Sequence, residues 1–408
     1  MKKILLSLAL SVAGFSMIDT IACTSAIITG KVTPDGRPIL WKHRDTGQEQ
    51  NRIEFFSTGT YRFLALVDSP PDQSKAAWIG TNETGFSIMN TASYNLKDKD
   101  DKTEIADREG VLMFSALSVC KNLADFEQFL DSLPKPLGVE ANFGVIDADG
   151  GAAFYEVNNF RYTKLDVNDP SIAPLGYLIV TNYSYTGRFN DGMGYIRQQT
   201  AWELFAHAAP FCAITPLWIA QEVSRSFYHS LLGIDLKKPE QDPGKSNGWF
   251  IDQDFIPRKS TSASVIIQGV KHGEDPQLTT MWTMLGYPPA TVMIPLWVKA
   301  GEHQPALLAQ TKESENAPLC EWAVTLKHHS FPIKRGNGSR YFYWRSMYND
   351  QETGYMQKLQ PVEDEIYRHF TPKIQNWRNS GSIDLKELDR AYTVIAEWIT
   401  QAYRDFDL

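Results

Sequence analysis

The sequence predicts an α+β fold, and three features along the chain support this prediction. Short strand-like runs come first, at residues 24–29 and 39–44, and a helical period follows at 109–133. More strand-like runs, at 262–269 and 278–285, follow a predicted pair of helices. Blocks of strands separated by helices are typical of sheets that carry helices on their outer faces, and a four-layer αββα sandwich fits this order.

The individual elements are predicted from local patterns. The turn Pro34-Asp35-Gly36 predicts a hairpin between the first two strands, and the turn at 147–151 predicts another between 143–146 and 152–157. The remaining predicted strands lie at 61–67, 77–80, 85–90, 176–181 and 291–298. The remaining predicted helices lie at 193–208, 215–232, 362–377 and 385–406.

Three segments divide the chain. Residues 1–22 are predicted to be a signal peptide, 23–335 the main domain, and 336–408 a C-terminal helical extension. The last segment has few strand signals and two amphipathic helical stretches, which is typical of helices that pack one face on a core.

The N-terminal segment has the pattern of a secretory signal peptide. Lys2 and Lys3 precede an apolar run over 4–17, and the segment 20–22 ends in an alanine directly before Cys23. The run is shorter than a typical transmembrane helix, and no later stretch reaches about 18 apolar residues. We therefore expect a mature chain that begins at Cys23, is periplasmic or secreted, and is not stably inserted in a membrane.

Composition and motifs exclude several classes of function. The formal net charge of −8 argues against a nucleic-acid partner, which requires a basic surface. The sequence has no CxxC pair, no HExxH motif and no phosphate-binding GxxxxGK[ST] loop. The adjacent His328 and His329 would point to opposite faces of a strand. We therefore expect no metal, no nucleotide and no other cofactor.

The four cysteines have different expected roles. Because thiols outside the cytoplasm are usually paired, Cys212 and Cys320 are candidates for a disulfide bond or for simple burial, and both possibilities stay open. Cys120 lies in a helical pattern and is interpreted as a small buried apolar residue.

Cys23, at the cleavage boundary, has three interpretations: an ordinary residue, the lipid-modified cysteine of a surface lipoprotein, or a catalytic nucleophile. Lipoprotein processing usually prefers leucine three residues before the cysteine, where this chain has Thr20. Lipid attachment would also consume the thiol and the α-amine, so the lipoprotein and nucleophile hypotheses exclude each other. A free α-amine has a pKa of about 7.7–8.0 and can deprotonate the thiol of its own residue.

Charged residues on the second strand suit the nucleophile hypothesis. A turn centred on Asp35-Gly36 makes residues whose numbers sum to about 71 face each other, so with a bulge or two Cys23 would lie near Asp45. Asp45 would accept a hydrogen bond from the amine, and Lys42 and Arg44 would add positive charge that favours the thiolate. The alternative is that this segment is a solvated, charged strand end.

Taken together, these motifs resemble the choloylglycine hydrolase and penicillin V acylase superfamily of N-terminal nucleophile (Ntn) hydrolases, which includes the acyl-coenzyme A:isopenicillin N acyltransferase-like branch. The resemblance covers about residues 23–330 and begins with the Cys-Thr start, the Asp-Gly turn and the basic–x–x–Asp segment. The later matching motifs are Asn82-Glu83-Thr84-Gly85-Phe86 with Asn90, Thr181-Asn182, Gly286-Tyr287-Pro288 and Ile294-Pro295-Leu296.

The resemblance implies the αββα Ntn fold, hydrolysis of linear carbon–nitrogen amide bonds and specific residue roles. Cys23 would be both nucleophile and base, Asp45 would orient the amine, and Asn182 and Asn90 would donate to the oxyanion. Lys42 stands where choloylglycine hydrolases carry arginine, and lysine keeps the charge but loses the two-pronged geometry.

The substrate implied by the resemblance is a small N-acyl amide. The arginine that these hydrolases carry after a Ser-Ala-Ser-like stretch has its nearest counterpart in Arg258, six residues before Ser264, as a candidate for substrate binding. These departures favour the acyltransferase-like branch, with a possible acyl-transfer side activity, over bile-salt or penicillin specificity. A dipeptidase with the same cysteine chemistry, a non-enzymatic lipoprotein and a homo-oligomeric state stay open.

Overall fold

The computed structural model describes residues 22–70, 75–238 and 247–408, so almost all of the predicted signal peptide lies outside the described residues. The strands are β1 (Thr24–Ile28), β2 (Ile39–Asp45), β3 (Asn51–Phe56), β4 (Phe63–Asp68), β5 (Ile79–Asn82), β6 (Ser87–Ala92), β7 (Ala141–Ile146), β8 (Ala152–Val157), β9 (Tyr162–Asp166), β10 (Tyr177–Val180), β11 (Tyr228–His229), β12 (Ile234–Asp235), β13 (Trp249–Ile251), β14 (Thr261–Gln268), β15 (Thr280–Leu285), β16 (Ile294–Leu296) and β17 (Tyr341–Tyr343). The α-helices are α1 (Glu109–Val119), α2 (Leu123–Ser132), α3 (Tyr195–Ala208), α4 (Pro216–Trp218), α5 (Pro318–Ser330), α6 (Tyr355–Ser380) and α7 (Leu385–Arg404).

Two large antiparallel sheets form the centre of the molecule. One has the strand order β10-β1-β2-β14-β15-β16, and the other is a meander that runs in order from β3 to β9. Short two-stranded ribbons, β11-β12 and β13-β17, lie outside both sheets. The predicted α+β class is therefore confirmed.

The sheets and helices form four layers because side chains alternate between the two faces of each strand. On β4, Leu64 and Leu66 belong to the core shared with the six-stranded sheet, whereas Phe63 and Ala65 pack with α1 and α2. On β2, Trp41 faces α3, where its ring lies 6.2 Å from that of Phe205. The order is thus helices α1 and α2, seven-stranded sheet, six-stranded sheet, and the remaining long helices.

The two C-terminal helices belong to the outer layer of the six-stranded sheet. The Trp297 ring, after β16, packs against Phe370 and Trp377 of α6 at centroid distances of 5.9 and 5.3 Å. Tyr392 of α7 donates a hydrogen bond to the carbonyl oxygen of Pro295 at 3.1 Å. Both helices bury their apolar faces in the same core as the sheet, while the domain boundary at 335/336 stays a prediction.

Two predicted helices are wrong in detail. The helix expected at 109–133 is broken into α1 and α2, because Asn122 accepts a hydrogen bond from the backbone nitrogen of Asp125 and starts a new helix. The helix expected at 215–232 is limited to α4 and a π-helical turn at Ile219–Val223, followed by the β11-β12 hairpin.

A buried ion pair explains why the second of these helices ends early. Arg225 donates from Nη1 and Nη2 to the two carboxylate oxygens of Glu363 on α6, at 2.5 and 2.6 Å. It also donates to the carbonyl oxygens of Pro288 and Thr291. These long-range contacts fix the chain at Arg225 in a turn, and local helical periodicity does not reveal them.

The first hairpin has a different register from the predicted one. Thr24 pairs with His43, whereas a turn centred on Asp35-Gly36 would pair it with residue 47. A 3-10 turn at Gly30–Val32 follows β1 directly and moves the centre of the connection toward the N-terminus. The predicted register is therefore wrong by four residues, although Cys23 still comes to lie near Asp45.

The four cysteines are all free thiols in the part of the chain that the structure describes. Cys212 is exposed and Cys320 is buried, so the two do not form a disulfide bond. Cys120 is buried as predicted, and burial raises the pKa of the Cys120 and Cys320 thiols to about 12.

Among the described residues, none of the helices combines the length and the apolar character needed to cross a bilayer.

Candidate active site

Cys23 lies directly before β1, at one end of the six-stranded sheet. Its side chain is 2% exposed, and its Sγ lies 3.9 Å from the backbone oxygen of Asp45. Because β2 alternates, Lys42 and Arg44 point toward the seven-stranded sheet, whereas His43 and Asp45 point toward the helical layer. Cys23 therefore lies beside the end of β2, which carries charged or titratable side chains on both of its faces.

The Asp45 carboxylate is fully buried and is held by two donors. Its Oδ2 accepts hydrogen bonds from Nε and Nη2 of Arg258, at 3.1 and 2.6 Å. Its Oδ1 accepts a hydrogen bond from the hydroxyl of Thr261 at 2.6 Å. A buried carboxylate requires such partners, so the arrangement fixes the orientation of Asp45.

Arg258 connects this carboxylate to the chain at Cys23. The same Nη2 that binds Asp45 also donates to the carbonyl oxygen of Ala22 at 3.0 Å. This oxygen belongs to the peptide unit whose nitrogen is that of Cys23, so a single guanidinium group separates Asp45 from that peptide. The sequence assigns Arg258 to substrate binding; the structure places it against Asp45 with 11% of its side chain exposed, and the substrate role stays a prediction.

Arg197, in the first turn of α3, was not identified from the sequence. Its Nη1 donates to the backbone oxygen of Cys23 at 2.6 Å and to the hydroxyl of Thr24 at 2.8 Å. Its Nη2 donates to Oδ1 of Asn182 at 2.8 Å. Burial lowers the pKa of Arg197 to about 9, and the charge of Arg258 acts in the same direction. The only feature of the sequence that could have drawn attention to Arg197 is its place near the start of a predicted helix.

Asn182 follows β10 and has its side-chain amide held at both ends. While Oδ1 accepts from Arg197, Nδ2 donates to the carbonyl oxygen of Ala92 on β6 at 2.9 Å. The backbone of Asn182 forms an isolated antiparallel bridge with Met193, which closes the loop before α3. Asn182 is thus fixed between the two sheets, close to the backbone of Cys23.

Asn90 and Lys42 meet across the two sheets. Lys42 is 2% exposed, and its Nζ donates to Oδ1 of Asn90 at 2.7 Å and to the carbonyl oxygen of Trp78 at 2.8 Å. The ammonium group therefore turns the oxygen end of the Asn90 amide toward itself, which leaves the nitrogen end to point elsewhere. Burial lowers the pKa of Lys42 to about 8, whereas the negative charge of a Cys23 thiolate would raise it.

Arg44 points to the same side of β2 as Lys42 but has partners of its own. Its Nη1 lies 2.7 Å from Oδ1 of Asp68, it also binds Asn51, and its guanidinium lies 4.6 Å from the ring centre of Trp78. Its charge is therefore largely balanced by Asp68, and an effect of Arg44 on the thiolate stays a prediction.

Two further titratable groups in this region, Glu109 and Tyr94, were not identified from the sequence. Burial and the neighbouring Asp107 carboxyl raise the pKa of Glu109, at the start of α1. Burial also raises the pKa of Tyr94, and the negative charge of Cys23 adds to this effect. The raised pKa values favour the neutral forms of both groups.

Within the ranges that the structure describes, no three histidine, cysteine, aspartate or glutamate side chains are grouped so as to hold a metal ion. The charged groups around Cys23 are instead occupied by the hydrogen bonds described above. The chemistry that they suit is proton transfer and stabilisation of negative charge.

Comparisons with known proteins give distant likenesses in structure only. No protein-family model matches the chain, and no curated protein matches it. A Caenorhabditis elegans ortholog of N-acylethanolamine-hydrolyzing acid amidase is 16% identical, over 60% of this chain and 92% of its own, with a TM-score of 0.38.

Two further solved structures are similarly distant. Penicillin V acylase from Agrobacterium tumefaciens is 13% identical, over 67% of this chain and 85% of its own, with a TM-score of 0.34. A variant of conjugated bile acid hydrolase from Clostridium perfringens is 11% identical, over 68% of this chain and 93% of its own, with a TM-score of 0.34. At these identities and scores, the likenesses bear on neither the reaction nor the substrate of this chain.

Proposed function

We propose that the mature chain begins at Cys23 and is an exported Ntn hydrolase that cleaves linear amide bonds of small N-acylated molecules. The observation that carries this proposal is the convergence of buried polar groups on the peptide unit of Cys23. In the uncleaved chain, Arg258 links Asp45 to the carbonyl of Ala22, and Arg197 binds the carbonyl of Cys23. Several buried charged side chains around one residue are what we expect for a nucleophile whose backbone amine takes part in the reaction.

The first step is activation of the thiol by the amine of the same residue. Removal of residues 1–22 converts the backbone nitrogen of Cys23 into a primary amine, which takes the proton of the thiol. The thiolate then attacks the carbonyl carbon of the amide. Lys42, within electrostatic reach of the thiolate, supports the charged form when it is itself protonated.

The oxyanion that forms needs donors at a defined place, and two amides are suitably held. Asn182 is fixed by Arg197 and Ala92, and Asn90 is fixed by Lys42. Nδ2 of Asn182, which donates to the carbonyl oxygen of Ala92, is the donor that we assign to the oxyanion. Donors that are already oriented need no reorganisation when the charge develops.

The tetrahedral species then collapses to a thioester. The protonated amine of Cys23 gives its proton to the leaving nitrogen, the carbon–nitrogen bond breaks and the free amine product departs. Water attacks the thioester, loses a proton to the amine of Cys23, and releases the acid and the thiol. An amine that attacks in place of water would give acyl transfer, as in the acyltransferase-like branch that the sequence resembles.

The proposal is tested first by the mass of the N-terminal peptide after expression with the native leader. An unmodified peptide that begins at Cys23 is expected. A diacylglyceryl and acyl adduct on Cys23 would instead mean a lipoprotein anchor and would contradict the proposal.

Activity is tested next on N-acyl amino acids, N-acyl amines and dipeptides. Cys23→Ala is expected to abolish turnover, whereas Cys212→Ala, which removes an exposed thiol that contacts the backbone oxygen of Lys31, is expected to keep it. The mechanism would be contradicted if Cys23→Ala turned over substrate as fast as the unaltered chain. Cleavage of dipeptides without cleavage of N-acyl amides would identify a dipeptidase with the same chemistry.

A further inference from the structure

We propose that Thr261 is a positioning residue that, through Asp45, sets how readily the amine of Cys23 accepts a proton. This inference rests on the proposed function. It concerns a residue that the sequence analysis did not identify and that touches neither the thiol nor the proposed oxyanion donors.

Thr261 owes its place to a β-bulge at the start of β14. Ala263 pairs with Arg44 and Thr261 pairs with Asp45, so Ser262 is one extra residue on this strand. Without the bulge, Ser262 would stand opposite Asp45. Bulges re-aim side chains and occur often beside active sites. Here the bulge brings the hydroxyl of Thr261 onto the same side as the Asp45 carboxylate.

The direction of the Thr261 hydrogen bond follows from its other partners. Its Oγ1 accepts a hydrogen bond from the backbone nitrogen of Arg258 at 3.0 Å, and Nε2 of His43 lies 3.3 Å away. A hydroxyl has a single hydrogen, and the buried Asp45 oxygen at 2.6 Å is an acceptor only. The hydrogen of Thr261 is therefore committed to Asp45.

The bulge is held from the helical layer. Lys327 of α5 is fully buried, and its Nζ donates to the backbone oxygens of Lys259 and Thr261, at 3.0 and 3.1 Å. Its charge is balanced by an ion pair with Glu49. The backbone that leads into the bulge is thus fixed, which keeps the Thr261 hydroxyl directed at Asp45.

This contact affects the reaction because the amine must be neutral to act as a base. The Asp45 carboxylate lies one guanidinium group away from the peptide of Cys23, and its negative charge, if it were not offset, would favour the ammonium form and hold the base protonated. Arg258 and Thr261 each donate to Asp45 and offset part of its negative charge. Loss of the Thr261 hydroxyl would therefore raise the pKa of the amine.

The other charged and titratable groups around Asp45 would stay in place in a Thr261 variant. They are His43 on β2, Arg197 on α3, Arg258 before β14, Lys327 on α5 and Tyr287 after β15. Burial lowers the pKa of His43 to about 4, so this imidazole is neutral where the amine titrates. A change in the pH profile would then report on the amine of Cys23.

The experiment compares Thr261→Val, Thr261→Ser and the unaltered mature chain. We expect Thr261→Val to lower kcat/KM at pH 7 roughly tenfold, because a hydrogen bond to a charged group is lost, and to move the acidic limb of the pH profile upward. KM should change little. Thr261→Ser keeps the hydroxyl, so both kcat/KM and the position of the acidic limb of the pH profile should match those of the unaltered chain.

A second measurement does not depend on the substrate. The Cys23 thiolate displaces iodide from iodoacetamide to give a carbamidomethyl thioether, and the rate at each pH follows from the mass of the N-terminal peptide. Thr261→Val should shift this profile upward, and Thr261→Ala should do the same if the valine variant folds poorly. Thr283→Val, at a buried threonine on β15 whose hydroxyl has no hydrogen-bond partner among the described residues, should leave it unchanged.

The outcomes separate the inference from the proposed function. A Thr261→Val profile equal to that of the unaltered chain, or a Thr261→Ser profile equal to that of Thr261→Val, would overturn the role of Thr261 alone. Full turnover by Cys23→Ala would instead overturn the proposed function.

Discussion

Nη2 of Arg197 donates a hydrogen bond to Oδ1 of Asn182 across 2.8 Å. The same guanidinium holds the backbone oxygen of Cys23, so one buried side chain connects the proposed nucleophile to a proposed oxyanion donor. A rigid connection of this kind keeps both groups in the geometry that the transition state requires.

Arg197→Lys should therefore lower kcat by about 10- to 100-fold with little change in KM, since lysine keeps the charge but loses the two-pronged geometry. Steady-state kinetics on the best substrate would measure this. Gln199→Ala, on the exposed side of the same helix, should behave like the unaltered chain. A rise in KM with an unchanged kcat would mean that Arg197 serves substrate binding instead.

Asn182→Ala should lower kcat by about 10²–10³-fold, as expected for the loss of one oxyanion donor. Because Arg197 acts partly through Asn182, the double variant should lose less than the product of the two single effects. Kinetics of the four members of this double-mutant cycle would measure the coupling. Independent effects would show that Arg197 acts on Cys23 alone.

Lys42 should make stability depend on pH. Burial lowers its pKa from 10.5 to about 8, which corresponds to roughly 3 kcal/mol. Between these two values the unfolded chain binds the proton that the folded chain has lost, so the free energy of unfolding rises with pH in that window. At pH 7 both states are protonated, and the cost of burying the charge is fully present.

The stability of Lys42→Met relative to the unaltered chain should therefore be greater at pH 7 than at pH 10, by about 2–3 kcal/mol. Urea unfolding at the two pH values measures this difference. The hydrogen bonds to Asn90 and Trp78 that the variant loses change the free energy of unfolding about equally at both pH values, so they do not affect the comparison. The exposed Lys358→Met should give a difference that is the same at pH 7 and pH 10. A Lys42→Met difference without pH dependence would contradict the lowered pKa.

Glu363→Gln should destabilise the chain by about 3–5 kcal/mol, because it leaves the buried Arg225 guanidinium without its counter-charge. Glu365→Gln on the same helix removes one partner of an exposed pair with Arg368 and should cost less than about 1 kcal/mol. Chemical unfolding of the two variants compares them. Equal effects would mean that the Arg225–Glu363 pair does not fasten α6 to the sheet.

Elements whose signals are local could be predicted from the sequence. The strands at Thr24–Ile28 and Ile39–Asp45 and the helix α7 were expected within a few residues of their observed ends, whereas helix α6, expected at 362–377, begins earlier, at Tyr355. Alternation, helical period and turn residues are properties of short segments, so no other part of the chain is needed to recognise them. The proposed role of Cys23 was inferred from local signals as well, since a leader and its cleavage boundary are predicted from adjacent residues.

The supporting groups of the site could not be predicted in this way. Arg197 and Arg258 come from segments far from Cys23 in sequence, and only the packing of α3 and the start of β14 brings them to it. The hairpin register depends on the 3-10 turn at Gly30–Val32, and the place of Thr261 depends on a one-residue bulge. Neither irregularity changes the local hydrophobic pattern.

The sequence by itself thus determined the α+β class, the candidate nucleophile and the strand that carries Asp45. The tertiary structure alone decided which side chains hold that carboxylate and which hold Asn182. The physical reason is that buried charges must find partners wherever the chain brings donors and acceptors together, and such long-range pairing is not encoded in the spacing of neighbouring residues.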